Sequence, residues 1–263
     1  MNFSIHQATN IGNRRFNQDR VAYAYTNDAL LLVLADGMGG HLHGELAASL
    51  TIDTFVESFG RQAQPSPDNP ENFISETMSH AHGRIMRLPH DKDLGGFPGT
   101  TCVAALVQNG KIYWGHAGDS RLYVLRDGEL LVRTRDHSAV QEWVESGLIS
   151  AEEARSHPQR NQITNCLGGI EDSFHVECGK PTLLKSGDVL LLGSDGLWGP
   201  FTDRELVEAF ASEPVTVVLN DLVSSALKRE AGHSDNVTGL AVRWGNSEIA
   251  HDTAEPVSHI LEI

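Results

Sequence analysis

Two dipeptides restrict the fold of this chain more than any other feature: Asn109-Gly110 and Asp127-Gly128, each set between apolar runs. Both are two-residue turns whose members take positive φ at little cost, and such turns join antiparallel strands as hairpins. They pair a strand over 100–107 with one over 111–116, and a strand over 122–126 with one over 129–134. Further strand patterns cover 21–25, 30–35, 174–178, 188–193 and 236–244. Helical patterns come in blocks. Ala48, Ile52, Phe55 and Phe59 share one face, as do Ile74, Met78, Ala81, Ile85 and Leu88. Ser150-x-x-Glu153 and Thr202-x-x-Glu205 have capping-box spacing, and 214–230 reads as another helix stopped near Gly232. Runs of strands followed by runs of helices predict an α+β fold, with antiparallel sheets covered by helix layers.

The chain has 263 residues, within the reach of one hydrophobic core. Pro65, Pro67 and Pro70 lie between two amphipathic helical patterns and read as a surface connection, so one domain over 1–245 is expected. The remaining segment, 246–263, carries Glu248, Asp252, Glu255 and Glu262 and no Lys or Arg, and is expected to be a mobile acidic tail. With 20 Lys+Arg against 35 Asp+Glu the formal charge is −15, which repels nucleic acid and anionic lipid. The longest apolar run, 29–35, is too short to span a bilayer, and no basic-then-apolar leader opens the chain. Cys102, Cys166 and Cys178 form no CxxC pair, which argues against a disulfide framework and a zinc ribbon. Buried reduced thiols in a cytoplasmic protein are the expectation.

The aspartates stand in unusual places. Asp36 closes the apolar strand 30–35, Asp195 follows 189–194, Asp119 follows the strand 111–116 through Ala117-Gly118, and Asp235 opens 236–242. If those strands are sheet neighbours, four carboxylates converge, and clustered carboxylates out of water need a compensating cation. Oxygen donors of this kind select Mg²⁺ or Mn²⁺ over zinc or copper. An Asp-Gly after a strand is also ordinary turn chemistry, and spacing alone leaves both readings standing.

Around these residues run, in order, Arg14-Arg-Phe-Asn-Gln-Asp19, Asp36-Gly-Met-Gly-Gly-His41 with Gly44-Glu45, Gly99-Thr-Thr101, Gly118-Asp-Ser-Arg121, Asp136-His-Ser138, Ser194-Asp-Gly-Leu-Trp198 and Asp235-Asn-Val-Thr238. This ordered set resembles the motifs of the metal-dependent protein phosphatase family, the type 2C serine/threonine phosphatases, in compact bacterial form. The resemblance covers about Ile5 to Arg243, with 138–170 similar to the family's bacterial flap. It implies a central β-sandwich flanked by helices and a binuclear Mg²⁺/Mn²⁺ centre that activates water for direct attack on phosphorus, without a phospho-enzyme. On that resemblance Asp36 would bridge both ions, the Gly37 carbonyl would bind one, and Asp195 and Asp235 would hold the other. Asp119 would serve a weaker third ion, Asp19 would orient metal-bound water and Arg14 would grip the substrate phosphate. The implied activity is hydrolysis of phosphoserine and phosphothreonine in proteins, counteracting a bacterial Ser/Thr kinase, by a monomer; the alternative is a catalytically silent relative that binds phosphoproteins. Two departures stand out. Gln18 replaces a metal-proximal Glu, and Met38 replaces a His proposed as general acid in animal members, leaving His41 and His43 as nearby imidazoles.

Overall fold

The computed structural model describes residues 1–38, 42–88, 98–169, 174–245 and 259–260. In chain order the first elements are β1 (Phe3–Asn10), β2 (Asp19–Tyr25), β3 (Ala29–Met38), α1 (Leu42–Gln62), α2 (Pro70–Ile85), β4 (Gly99–Thr100) and β5 (Cys102–Gln108). Then come β6 (Lys111–Ala117), β7 (Arg121–Arg126), β8 (Glu129–Arg133), α3 (Ala139–Glu145), α4 (Ala151–Ser156), β9 (Leu167–Gly168), β10 (Glu177–Cys178) and β11 (Thr182–Leu183). The last are β12 (Val189–Gly193), α5 (Asp195–Trp198), α6 (Asp203–Ala209), α7 (Val215–Arg229), β13 (Val237–Trp244) and β14 (His259–Ile260).

Two antiparallel sheets face each other. One runs β1-β13-β12-β7-β8; the main path of the other runs β10-β6-β5-β3-β2-β14. The turns do what their chemistry demands: Asn109 and Asp127 have φ of 52° and 51°, and each is followed by a glycine at positive φ. The resulting hairpins put Gln108 opposite Lys111 and Arg126 opposite Glu129.

β3 is apolar throughout because both of its faces are covered. Leu30, Leu32 and Leu34 enter the layer between the sheets with Val103, Leu122, Val124, Leu190, Leu192 and Leu240. Leu31 and Val33, one residue out of phase, meet Ile52, Phe55, Ile74 and Met78 of α1 and α2. On the far side α6 and α7 bury Leu206, Leu219 and Leu222 against Tyr123, Leu191 and Ala241. Each fully buried Leu in these layers contributes on the order of 1.5–3 kcal/mol. Both capping boxes form, at Ser150/Glu153 and Thr202/Glu205.

The structure departs from the sequence reading in several places. Of the three thiols expected to be buried, Cys102 is, whereas Cys166 is half-buried and Cys178 exposed, at the short β10 edge. β1, whose mixed sequence Phe3-Ser-Ile-His-Gln-Ala-Thr-Asn10 reads as no element, pairs with β13 along its whole length as an edge strand. The expected strand 174–178 shrinks to Glu177–Cys178, since β6 offers only Gly115 and His116 as partners there and Phe174 instead stacks on His82 at 4.3 Å. The expected 100–107 strand is split between β4 and β5 at Thr101. Of the acidic segment 246–263, only His259 and Ile260 fall among the described residues, and their backbone pairs with Tyr23 and Ala22. His41 and the side chain of His43 lie outside them. Among the described residues no helix is long and apolar enough to cross a membrane.

Candidate active site

The expected sheet neighbourhood holds for only half of the carboxylates. β12 and β13 are adjacent, so Asp195 and Asp235 belong to one sheet, whereas Asp36 and Asp119 extend from β3 and β6 of the other, with β5 between them. Stacking the sheets brings the two pairs together at one end. Asp36, Asp119, Asp195 and Asp235 line a single cavity of about 410 Å³, with Arg14, Gln18 and Gly37. Asp119, Asp195, Asp235 and Arg14 also line an adjoining cleft of about 640 Å³ that reaches Arg155 and Arg160 of the flap segment.

Each carboxylate is fixed by its backbone setting. Asp36 lies opposite Asp19 in the β2–β3 pair. Its N–H donates to Thr101 Oγ1 at 3.1 Å, and its carbonyl accepts from the Thr101 N–H at 2.8 Å. Gly37 must lack a side chain: a Cβ there would stand 2.2 Å from the Gly44 carbonyl oxygen. Gly196 has the same constraint, 2.1 Å from the carbonyl oxygen of Asn236, which keeps the Asp195 and Asp235 backbones close. Asn236 accepts from the Gln18 N–H at 2.8 Å and donates to the carbonyls of Ile11 and Phe16, tying the Arg14 loop to β13. Asp119 is held through its carbonyl, which accepts from Trp198 Nε1 at 3.1 Å. Trp198 in turn carries the Arg121 guanidinium over its ring, and Arg121 forks onto Asp136 at 2.7 and 2.6 Å.

The electrostatics are those of carboxylates crowded away from water. Burial, then the charges of Asp19, Asp195, Asp119 and Asp235, hold Asp36 well above the usual carboxylate range. Burial, with Asp235 and Asp19 behind it, pushes Asp195 up to about 7. Asp119 is raised by burial and by Asp195 and Asp136. Asp19 is pushed up to about 6 by burial, against hydrogen bonds from Thr238 and Ser194 that favour its ionised form. Ser194 Oγ donates to Asp19 Oδ2 at 2.8 Å, while Asp19 Oδ1 is buried without a hydrogen-bond partner. Arg14 Nη2 donates to Asp235 Oδ2 at 2.6 Å, with the Arg14 side chain 57% exposed at the mouth.

A buried carboxylate oxygen with no donor, on the strand paired with that of Asp36, belongs to a hard-oxygen environment that suits Mg²⁺ or Mn²⁺. Among the described residues no three of these aspartates bring oxygens within 4.8 Å of one another.

His116, His137 and Glu177 do bring ligand atoms within 4.8 Å of one another, but the proton arrangement excludes His137 as a ligand. Its Nδ1 accepts the Gly118 N–H at 3.1 Å, so Nε2 carries the hydrogen, donated to Glu177 at 3.0 Å. A ligating histidine has the reverse arrangement, donating from its other nitrogen.

All seven sequence-expected positions, Arg14, Asp19, Asp36, Gly37, Asp119, Asp195 and Asp235, therefore gather at one end of the sandwich, six at the cavity wall and Asp19 buried behind it. Thr101, Ser194, Asn236 and Thr238, which orient them, had no assigned role in the sequence, although each lies inside one of the quoted motifs.

The family model described as "Protein phosphatase 2C" matches residues 6–230. The protein phosphatase PhpP of Streptococcus pneumoniae is 32% identical over 247 residues, covering 93% of this chain and 98% of that protein. The serine/threonine protein phosphatase PstP of Mycobacterium tuberculosis is 38% identical over 228 residues, 85% of this chain but 41% of that longer protein. A crystal structure of a PstP catalytic domain in complex with two manganese ions superposes with a TM-score of 0.75 at 30% identity, covering 92% of this chain and 97% of that one.

Proposed function

The chain belongs to the protein phosphatase 2C family, and we propose that it is a metal-dependent protein serine/threonine phosphatase in which residues 1–245 form the catalytic domain and 138–170 its flap. The observation that carries this reading is the cavity itself: carboxylates from two facing sheets, with Arg14 and Arg15 beside them and, among the described residues, no lysine or histidine on its wall. Two Mn²⁺ or Mg²⁺ ions held there would supply an activated water and neutralise the phosphoryl oxygens, in keeping with the two manganese ions in complex with the PstP catalytic domain.

The chain's own residues do the rest. Asp36, the Gly37 carbonyl, Asp195 and Asp235 would hold the two ions, with Asp36 shared between them, and Asp119 would serve a weaker third. Asp19, anchored by Ser194, offers its unpaired Oδ1 to a water hydrogen and so fixes that water's orientation. Arg14, exposed at the rim, swings from Asp235 to fork onto the substrate phosphate, for which a planar guanidinium is suited. The cleft alongside accommodates the polypeptide flanking the phosphorylated residue.

The substrates are phosphorylated proteins, the opposing enzyme is a Ser/Thr kinase, and the phosphatase acts as a cytoplasmic monomer. Retention of Asp36, Asp119, Asp195 and Asp235 together favours an active enzyme over a silent phosphoprotein-binding relative. Hydrolysis of p-nitrophenyl phosphate and of a phosphothreonine protein, measured with Mn²⁺ and with EDTA, tests the proposal. Activity should require the metal and vanish in Asp36→Asn; EDTA-insensitive turnover, or undiminished turnover in that variant, overturns it.

A further inference from the structure

His137 lies behind the carboxylate cavity, 2% exposed, and lines neither that cavity nor the adjoining cleft. Nevertheless it holds the residue that leads into Asp119. Two N–H donors converge on its Nδ1: the Gly118 backbone at 3.1 Å and Asn165 Nδ2 at 2.9 Å. The His137 N–H donates back to the Gly118 carbonyl at 3.0 Å, so both polar groups of Gly118 are taken by one residue. Gly118 has φ of +108°, and a Cβ on it would stand 2.6 Å from Thr101 Cβ. The turn is thus confined from both sides, and Asp119 has little freedom of its own.

The same residue anchors the flap segment. Its carbonyl accepts from the Thr164 N–H at 2.9 Å, and the neighbouring Ser138 bridges to Ile163. Asn165, having donated to Nδ1, also donates to the His175 carbonyl at 2.9 Å and accepts the His175 N–H at 3.2 Å. Nε2–H reaches Glu177 on β10, and the ring stacks on His116 with centroids 4.5 Å apart. One imidazole therefore joins the Asp119 turn, the root where the flap returns, and the edge of the sheet.

We infer that His137 is a positioning residue, which sets Asp119 through Gly118 and couples that placement to the seating of segment 138–170. Its connection to cation binding rests on the phosphatase reading above; its mechanical part does not. Two conservative variants separate the hydrogen bond from mere packing. His137→Asn places an amide oxygen near the native Nδ1 and keeps an acceptor for the Gly118 N–H. His137→Gln places its amide near the native Nε2 and leaves that N–H without a partner in a buried site.

Calorimetric Mn²⁺ titration of the full chain should show the weakest binding event loosened by about tenfold or more in His137→Gln and within about twofold of native in His137→Asn. The tighter events should be unchanged in both. In the Gln variant kcat should fall with KM unaltered. Amide hydrogen exchange of the metal-free protein supplies a second readout that needs neither cation nor substrate. Exchange at Gly118, Asp119 and 162–165 should quicken in His137→Gln and stay native-like in His137→Asn. Equal disturbance by both variants, or by neither, overturns the inference. A native chain that binds no Mn²⁺ overturns the phosphatase reading instead, and the exchange comparison then still decides on His137.

Discussion

Arg14 has two partners that compete for the same guanidinium. It pairs with Asp235, a carboxylate assigned to a cation, and it is the group assigned to the substrate phosphate. Removing it should therefore move two affinities in opposite directions. In Arg14→Ala, inhibition by inorganic phosphate should weaken by about 10- to 100-fold, the loss of a charge-assisted interaction. Mn²⁺ affinity should stay level or rise, because Asp235 no longer has a competing cation. Calorimetry with each ligand measures both, and parallel losses would show Arg14 to be structural. The aspartates impose a second signature. Burial and neighbouring carboxylates push Asp195 up to about 7 and Asp19 up to about 6 and hold Asp36 and Asp119 well above the usual carboxylate range, so protons must leave the cluster as a cation binds. Mn²⁺ affinity should rise as pH climbs from about 5.5 to about 8, with protons released on binding. Titrations in buffers of different ionisation enthalpy report that release; pH-independent affinity would contradict it.

The secondary-structure elements differ in how much they depend on distant contacts. Leu32 is fully buried between the sheets, whereas Leu131 on β8 is 41% exposed. Leu32→Ala should cost about 2–5 kcal/mol in urea unfolding, and Leu131→Ala no more than about 0.5 kcal/mol; similar losses would mean that the inter-sheet layer is not the main core. The same contrast explains which elements the sequence disclosed. The hairpins at Asn109-Gly110 and Asp127-Gly128 were legible because their turn chemistry is local and sterically decided. The capping boxes were legible for the same reason. β1 was not, since Phe3-Ser-Ile-His alternates too weakly to declare a strand and depends on β13, more than 220 residues away, for every ladder bond. The 174–178 run carried a strand signal that the neighbouring strand could not pair.

Over the whole molecule, the site exists because two sheets stack. Neither sheet alone contains more than two of the four cavity aspartates, and no spacing in the chain indicates that Asp36 and Asp195 face one another. The resemblance to type 2C phosphatases named the acidic residues; the network behind them, Thr101 on Asp36, Ser194 on Asp19 and Asn236 on the Arg14 loop, depends on three-dimensional hydrogen bonds. A net charge of −15 on the chain works against anionic substrates, so cations held in the cavity would invert the field locally and aid recognition as well as chemistry. The most direct measurement is anomalous diffraction at the manganese edge from crystals equilibrated with Mn²⁺. Two peaks about 3.5–4 Å apart, sharing Asp36 and flanked by Gly37, Asp195 and Asp235, are expected. A single peak, or manganese at His116, His137 and Glu177 with the aspartate cavity empty, would contradict the assignment.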